Sequence, residues 1–163
     1  MIEIQLSNGY KTIIDNEDYE KVKKYTWYAK YDSKGFAKYV SHNYRENGKL
    51  YSLKLHRFIL NVCDSKVEVD HIDHNGFNNQ KSNLRICSHI QNSRNRIMYK
   101  NKIVPYKGVS IRKENKKYRS RIRVNKKLIN LGEYSNSVDA AKAYNEAAIK
   151  YFGEFACLNI ILD

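Results

Sequence analysis

The stretch from Val69 to Asn95, VDHIDHNGFNNQKSNLRICSHIQNSRN, constrains this chain more than any other. Val67 and Val69 begin a strand that ends at the pair Asp70-His71. Asn75-Gly76 and Asn78-Asn79 are turn formers and make a polar loop. Leu84, Arg85 and Ile86 return as a second strand. Ser88 stands where an N-cap would start a helix through Ile90 and Arg94. The order is strand, loop, strand, helix, with an acid and an imidazole at the strand end and amides beyond. Neighbouring residues on a strand point to opposite faces, so Asp70 and His71 share a site only if the strand ends or kinks between them.

The rest of the chain says what such a site would act on. Thirty Lys and Arg oppose seventeen Asp and Glu, a formal charge of +13, with 14 Tyr and 5 Phe interleaved. That balance favours a polyanionic partner over a merely solvated surface, with a membrane surface the weaker alternative. No apolar run approaches the roughly 20 residues of a spanning helix, and no basic segment precedes an apolar one at the start. The expectation is a soluble, unexported protein of the bacterial cytoplasm, bacterial or phage-encoded. Cys63, Cys87 and Cys157 are odd in number and contain no C-x-x-C pair, which fits a reducing compartment and argues against a cysteine-ligated zinc.

Periodicity organises the remainder into an α+β chain. Ile2, Ile4 and Leu6 alternate with polar residues, and Asn8-Gly9 turns them into a segment through Ile13 and Ile14. Asn16 is placed to cap a short helix over Glu17 to Tyr25. Trp27 to Tyr31, Phe36 to Tyr44 and Leu50 to Leu55 read as strands joined at Asp32 to Gly35 and Asn47-Gly48, completing an antiparallel meander. A short helix follows over His56 to Leu60. Met98 to Val104 is a basic connector ending at Pro105, the single proline. The expected domains are 1–98, with its strand-strand-helix core at about 67–97, a linker at 99–105, and 106–163. The charge shifts across that boundary, from net +5 over residues 1–98 to net +8 over 99–163.

The third part reads as three strands and a helix. Tyr106 to Arg112 is the first strand. Arg119, Arg121 and Arg123 recur at period two in the second, opposite Tyr118, Ser120, Ile122 and Val124. Leu128 to Leu131 is the third, ended by Gly132. A helix runs from a Ser137 cap to a Gly153 stop, with Val138, Ala141, Tyr144, Ala148 and Phe152 in one stripe.

Acid, imidazole and two amides in so basic a chain suit hydrolysis of a phosphodiester. A water must lose a proton, the phosphate must be neutralised, and the leaving oxygen must be stabilised. An imidazole is mostly neutral at pH 7 and fits the first task, giving His71 as general base. A hard cation held by oxygens fits the others, and Mg²⁺ takes only one or two protein ligands, with Mn²⁺ an alternative. Asp70 and Asn92 would hold it from the strand end and the helix. Asn83 would bond the far nitrogen of His71 and fix its tautomer. Asp73 and His74 contact a phosphate or serve only as loop residues; His89 reaches the metal or sits on a polar helix face. Arg85 and Arg94 clamp the scissile phosphate or pair on the surface. His56 reads as packing or support.

From LHRFIL at Leu55 through VDHID, NLR and QNSRN to Asn95, the chain resembles the HNH endonucleases of the phage and intron-associated type, in the variant whose last histidine is an asparagine, here Asn92. The resemblance implies a ββα-metal fold and a metal-dependent DNA cut leaving 5′-phosphate and 3′-hydroxyl ends. An asparagine in place of the last histidine makes a dedicated zinc site less fitting.

The segment from YKGV at Tyr106 to Leu158-Asn159, with YRSRIRV, LGEY, SVDAAKAYNEAA and FGEFACLN, resembles the AP2 DNA-binding domain. That implies a three-stranded antiparallel sheet on one helix, lying in a DNA groove. The contact residues would be Arg119, Arg121 and Arg123, extended by Lys107 and Arg112. Plant members carry arginine at the position of Lys107 and tryptophans near those of Tyr118 and Asn130, so the target sequence does not transfer.

Together these features describe a site-directed DNA endonuclease of the homing type, one strand cut per active site. Its partner is double-stranded DNA, with no membrane and no obligatory protein partner, as monomer or homodimer. The rival is a non-catalytic DNA-binding regulator on a nuclease-like scaffold; an RNA-processing nuclease is a weaker third reading.

Overall fold

The structure is a computed structural model that describes residues 1–33, 35–96 and 103–161. Lys34, in the expected turn after Asp32, and residues 97–102, which hold most of the expected linker, lie outside them. The chain forms two compact units, Met1–His89 and Ile90–Asp163. The sequence reading put its first boundary near residue 98. In the structure the helix expected to complete the first domain begins in one unit and continues in the other.

In the first unit, β1 (Ile2–Gln5) pairs antiparallel with β2 (Lys11–Ile14). A 3-10 turn over Asn16–Asp18 leads into α1 (Tyr19–Val22). β3 (Tyr28–Tyr31), β4 (Ala37–Glu46) and β5 (Lys49–Lys54) form a second antiparallel sheet, in the order β3-β4-β5. The expected single meander is therefore two sheets. α2 (Leu55–Ile59) follows, then β6 (Glu68–His71) paired with β7 (Leu84–Cys87). One apolar core joins them: Leu6, Ile14, Val22, Trp27, Ala29, Val40, Leu55, Ile59, Val69 and Leu84 are all buried. Each large aliphatic buried this way contributes about 1.5–3 kcal/mol.

Asn16 does not cap the first helix, which also stops short of Tyr25. Asp15 holds the cap position without a side-chain cap bond. Its carboxylate instead accepts from the Lys81 backbone N–H and from Gln80 Nε2. A long-range partner has displaced the local signal.

In the second unit, α3 (His89–Arg94) precedes a three-stranded antiparallel sheet of β8 (Val109–Ile111), β9 (Tyr118–Val124) and β10 (Lys127–Tyr134), ordered β10-β9-β8. β8 is shorter than the expected Tyr106–Arg112. Gly132 does not end β10. It forms a bulge at φ 130°, and pairing resumes through Glu133 and Tyr134. α4 (Ser137–Phe152) packs on this sheet through Ala140, Ala141, Tyr144, Ala147, Ala148 and Phe152. Its N-cap is Asn136, whose Oδ1 accepts the Asp139 N–H at 2.8 Å, one residue before the expected Ser137.

The class is α+β. Among the described residues no helix is long and apolar enough to cross a membrane.

Candidate functional site

The polar loop between β6 and β7 is built against β2. The Ile13 N–H donates to Phe77 O and the Asn79 N–H to Ile13 O, each near 2.9 Å. The loop also presses on β4: a Cβ at Gly76 would stand 1.9 Å from the Lys38 carbonyl oxygen, so only glycine fits. The loop is thereby held at a fixed height over the end of β6, where Asp70 and His71 lie.

No break separates Asp70 from His71, so the two side chains leave opposite faces of β6 and the expected kink is absent. The ladder runs without a shift from Glu68–Cys87 through Asp70–Arg85 to His71–Leu84. Asp70 therefore meets Arg85, the residue directly opposite. Arg85 Nε and Nη2 both donate to Asp70 Oδ2, at 3.0 and 2.7 Å, in a pair of which about a tenth is exposed. The guanidinium assigned by sequence to a DNA phosphate is here the counter-charge of the site's own acid.

His71 turns toward the loop. Its Nε2 lies 3.2 Å from Asn79 Oδ1. Asn79 is fully buried, and its Nδ2 donates to Thr12 Oγ1 at 2.9 Å and to the Gly76 carbonyl at 3.3 Å. A carbonyl only accepts, so the amide is oriented with Oδ1 toward the ring. The ring must then carry its proton on Nε2, and Nδ1 holds the lone pair. Burial lowers the His71 pKa below the ordinary imidazole value, against the opposing pull of Asn79, Asp73 and Asp70. The imidazole is neutral and basic at pH 7.

Asn79 takes the role the sequence reading gave to Asn83. Asn83 staples the loop instead. Its Nδ2 donates to Asp73 Oδ1 and to the Asn78 carbonyl, each at 2.8 Å, and its Oδ1 accepts the Asp73 N–H at 3.0 Å. Asp73 is equally committed. Burial alone would raise its pKa, but the Asn75 N–H and the Asn78 and Asn83 amides outweigh that and hold the carboxyl below its usual range. His74 sits at φ 64° in the same loop.

His56, read from the sequence as packing or support, packs against His71. It is buried on α2, with its ring 5.0 Å from that of His71 in an edge-on contact. Burial first, then the neighbouring His71, Lys54 and Arg57, push its pKa down to about 3. His56 Nδ1 has no hydrogen-bond partner among the described residues. His89 Nδ1 lies 2.7 Å from Glu68 Oε1, which accounts for a residue read as reaching a metal or lying on a polar helix face.

Asn92 and Arg94 stand on α3 within the second unit, which also holds Lys107, Arg112, Arg119, Arg121 and Arg123. Arg94 lies over the Phe152 ring, 4.7 Å from its centre. Lys107 Nζ donates to the Arg94 and Arg96 carbonyls at 2.7 and 2.8 Å, so the lysine closes the end of α3 rather than extending the basic face of the sheet. On that face, Arg112 and Arg119 both donate to Glu133 Oε1, at 2.8 and 3.3 Å. The hydrogen bonds from Arg112 and Asn115 hold Glu133 at a pKa of about 2. Arg121 and Arg123 form no ion pair among the described residues.

The donors at the strand end suit a hard cation better than a soft one. Asp70 offers carboxylate oxygens, held in place by Arg85. No group of three or more His, Cys, Asp or Glu among the described residues is arranged to hold a metal ion, and an all-protein zinc cage would need four such ligands. A cation that keeps most of its waters needs fewer protein ligands, but it would meet Arg85 already on the same oxygen.

Over 145 residues, 86% of this chain and 70% of the relative, the sequence is 37% identical to an uncharacterized HNH endonuclease of Acanthamoeba polyphaga mimivirus. No family model matches the chain, and no solved structure matches it.

Proposed function

We propose a DNA-cutting role on one premise: this chain belongs to the HNH endonuclease family. In this reading β6, β7 and α3 supply a ββα-metal nuclease motif, and His71 is its general base. His71 Nδ1 takes a proton from water, the water oxygen joins phosphorus, and the P–O3′ bond breaks; the departing O3′ takes a proton from solvent, leaving 5′-phosphate and 3′-hydroxyl ends. Asn79 holds Nε2–H, so the lone pair stays at Nδ1. Asp70 would hold Mg²⁺ or Mn²⁺. Such a cation supplies positive charge for the phosphate and for the departing oxygen. Asn83 keeps the loop closed around the base.

The observation that carries this reading is the His71 imidazole, held through Nε2 by the amide of the fully buried Asn79.

The second unit would act as an AP2-like DNA reader. Arg121 and Arg123 offer guanidinium groups suited to guanine or phosphate, while Glu133 restrains Arg112 and Arg119. Binding at a preferred sequence raises the local concentration of the cutting unit, as a homing-type enzyme requires. One active site cuts one strand per engagement.

Supercoiled plasmid incubated with the full chain, with Mg²⁺ or with chelator, tests the proposal. Nicked circles only with Mg²⁺, ending in 5′-phosphate, are expected; intact plasmid under both conditions refutes it. The ion pair of Asp70 with Arg85 favours the rival, a DNA-binding regulator on a nuclease-like scaffold, and that outcome would select it.

A further inference from the structure

β4 outruns one of its neighbours. Its pairing with β3 stops at Ser41, while its pairing with β5 continues from Ser41–Lys54 out to Glu46–Lys49. Residues 42–46 and 49–53 form a two-stranded ribbon beyond the sheet, about 17 Å long at about 3.4 Å per residue. From Asn43 to Ser52 every residue is exposed, so neither face of the ribbon packs on the core.

An isolated ribbon is marginal in water. One face of this one explains how it holds its shape. Tyr44 stacks on the cross-strand Tyr51 with ring centres 5.3 Å apart, and His42 continues the row at 6.3 Å. The other face carries Asn43 opposite Ser52 and Arg45 opposite Leu50. Arg45 forms no ion pair among the described residues, and Leu50 is 64% exposed. Lys54 lies at the base and Lys49 at the tip, against a single acid, Glu46.

These residue types are the ones that read base edges. Arginine bonds guanine, asparagine bonds adenine, serine serves either, and an apolar side chain meets the thymine methyl. The major groove, about 12 Å wide, admits a two-stranded ribbon. We propose that the β4–β5 ribbon enters the major groove of duplex DNA as a second reading element, with Asn43 and Arg45 at base edges and the lysines on phosphates. The assignment rests on the DNA-cutting reading above for its partner, and it adds a contact in the first unit that is independent of the C-terminal sheet.

The test is selection by the full chain, in chelator, from a duplex library with a randomised centre. It is paired with protection of guanine N7 from methylation and with sedimentation of the free protein. Wild type is expected to select two blocks of sequence. Asn43→Ala with Arg45→Ala should lose one block and its N7 protection, with affinity for the selected duplex falling about tenfold. Arg121→Ala should lose the other block. Both ribbon positions are exposed, so the variants should fold. The same two blocks and protection in the ribbon variant would overturn the proposal. So would an altered oligomeric state with unchanged selection, which would make the ribbon a contact for a second copy. Cutting is not read in this experiment. A chain that selects both blocks through these residues but never nicks DNA would support the ribbon and remove only the nuclease reading.

Discussion

Asp70 and Arg85 stand directly opposite on β6 and β7, and the guanidinium donates from both Nε and Nη2 to one carboxylate oxygen, Oδ2. The site's acid is thereby neutralised by a residue of its own hairpin. A cation bound at Asp70 must compete with Arg85 or shift it.

Removing that arginine should therefore separate the fold from the metal. In chelator, Arg85→Gln should lose about 3 kcal/mol in urea unfolding, since a buried charge is left unpaired. Mg²⁺ should restore more of that stability in the variant than it adds to wild type. Equal Mg²⁺ effects on the two proteins would mean that Asp70 does not hold the cation.

Burial lowers the pKa of His71, and a base works only while neutral. Activity should accordingly persist below pH 6.5, the ordinary imidazole value, before its acid limb falls. Initial nicking rates from pH 5 to 8 measure this. An acid limb at or above 6.5 would show that His71 is not buried as described.

His56 has a different signature. Its folded pKa, about 3, is below its unfolded value, so its contribution to stability is complete above pH 6.5 and is lost as pH falls from there toward 3. Each proton taken up only by the unfolded chain removes about 1.4 kcal/mol per pH unit. Unfolding free energy should drop by about 2 kcal/mol between pH 7 and pH 5, and His56→Phe should flatten that slope. An unchanged slope in the variant would assign the acid sensitivity elsewhere.

Glu133 draws two arginines of the sheet toward one carboxylate. Glu133→Gln should release them, tightening binding to a mixed-sequence duplex and steepening its salt dependence by about one unit of slope per freed phosphate contact. Weaker or unchanged binding would move the DNA-contacting surface off this face.

Much of this was written in local pattern. The Asn-Gly turns, the alternation of β9 and the three-to-four spacing on α4 need no distant partner, and those elements form where the periodicity puts them. The Asp70–Arg85 pair was not read, because the sequence analysis set no register between the two strands. What was not legible depends on contacts far apart in the chain. Asn79 rather than Asn83 serves His71 because Thr12, 67 residues earlier than Asn79, orients its amide. Asn16 loses its cap because Lys81 and Gln80 draw in Asp15. Lys107 leaves the basic face because the carbonyls at the end of α3 lie within its reach.

The central claim is that His71 removes the proton from the attacking water. His71→Ala, assayed beside wild type on the same supercoiled plasmid in Mg²⁺, tests it most directly. The account predicts nicking reduced by about a hundredfold or more, with retention of the plasmid on a gel unchanged. Nicking at the wild-type rate by a folded His71→Ala protein would contradict it.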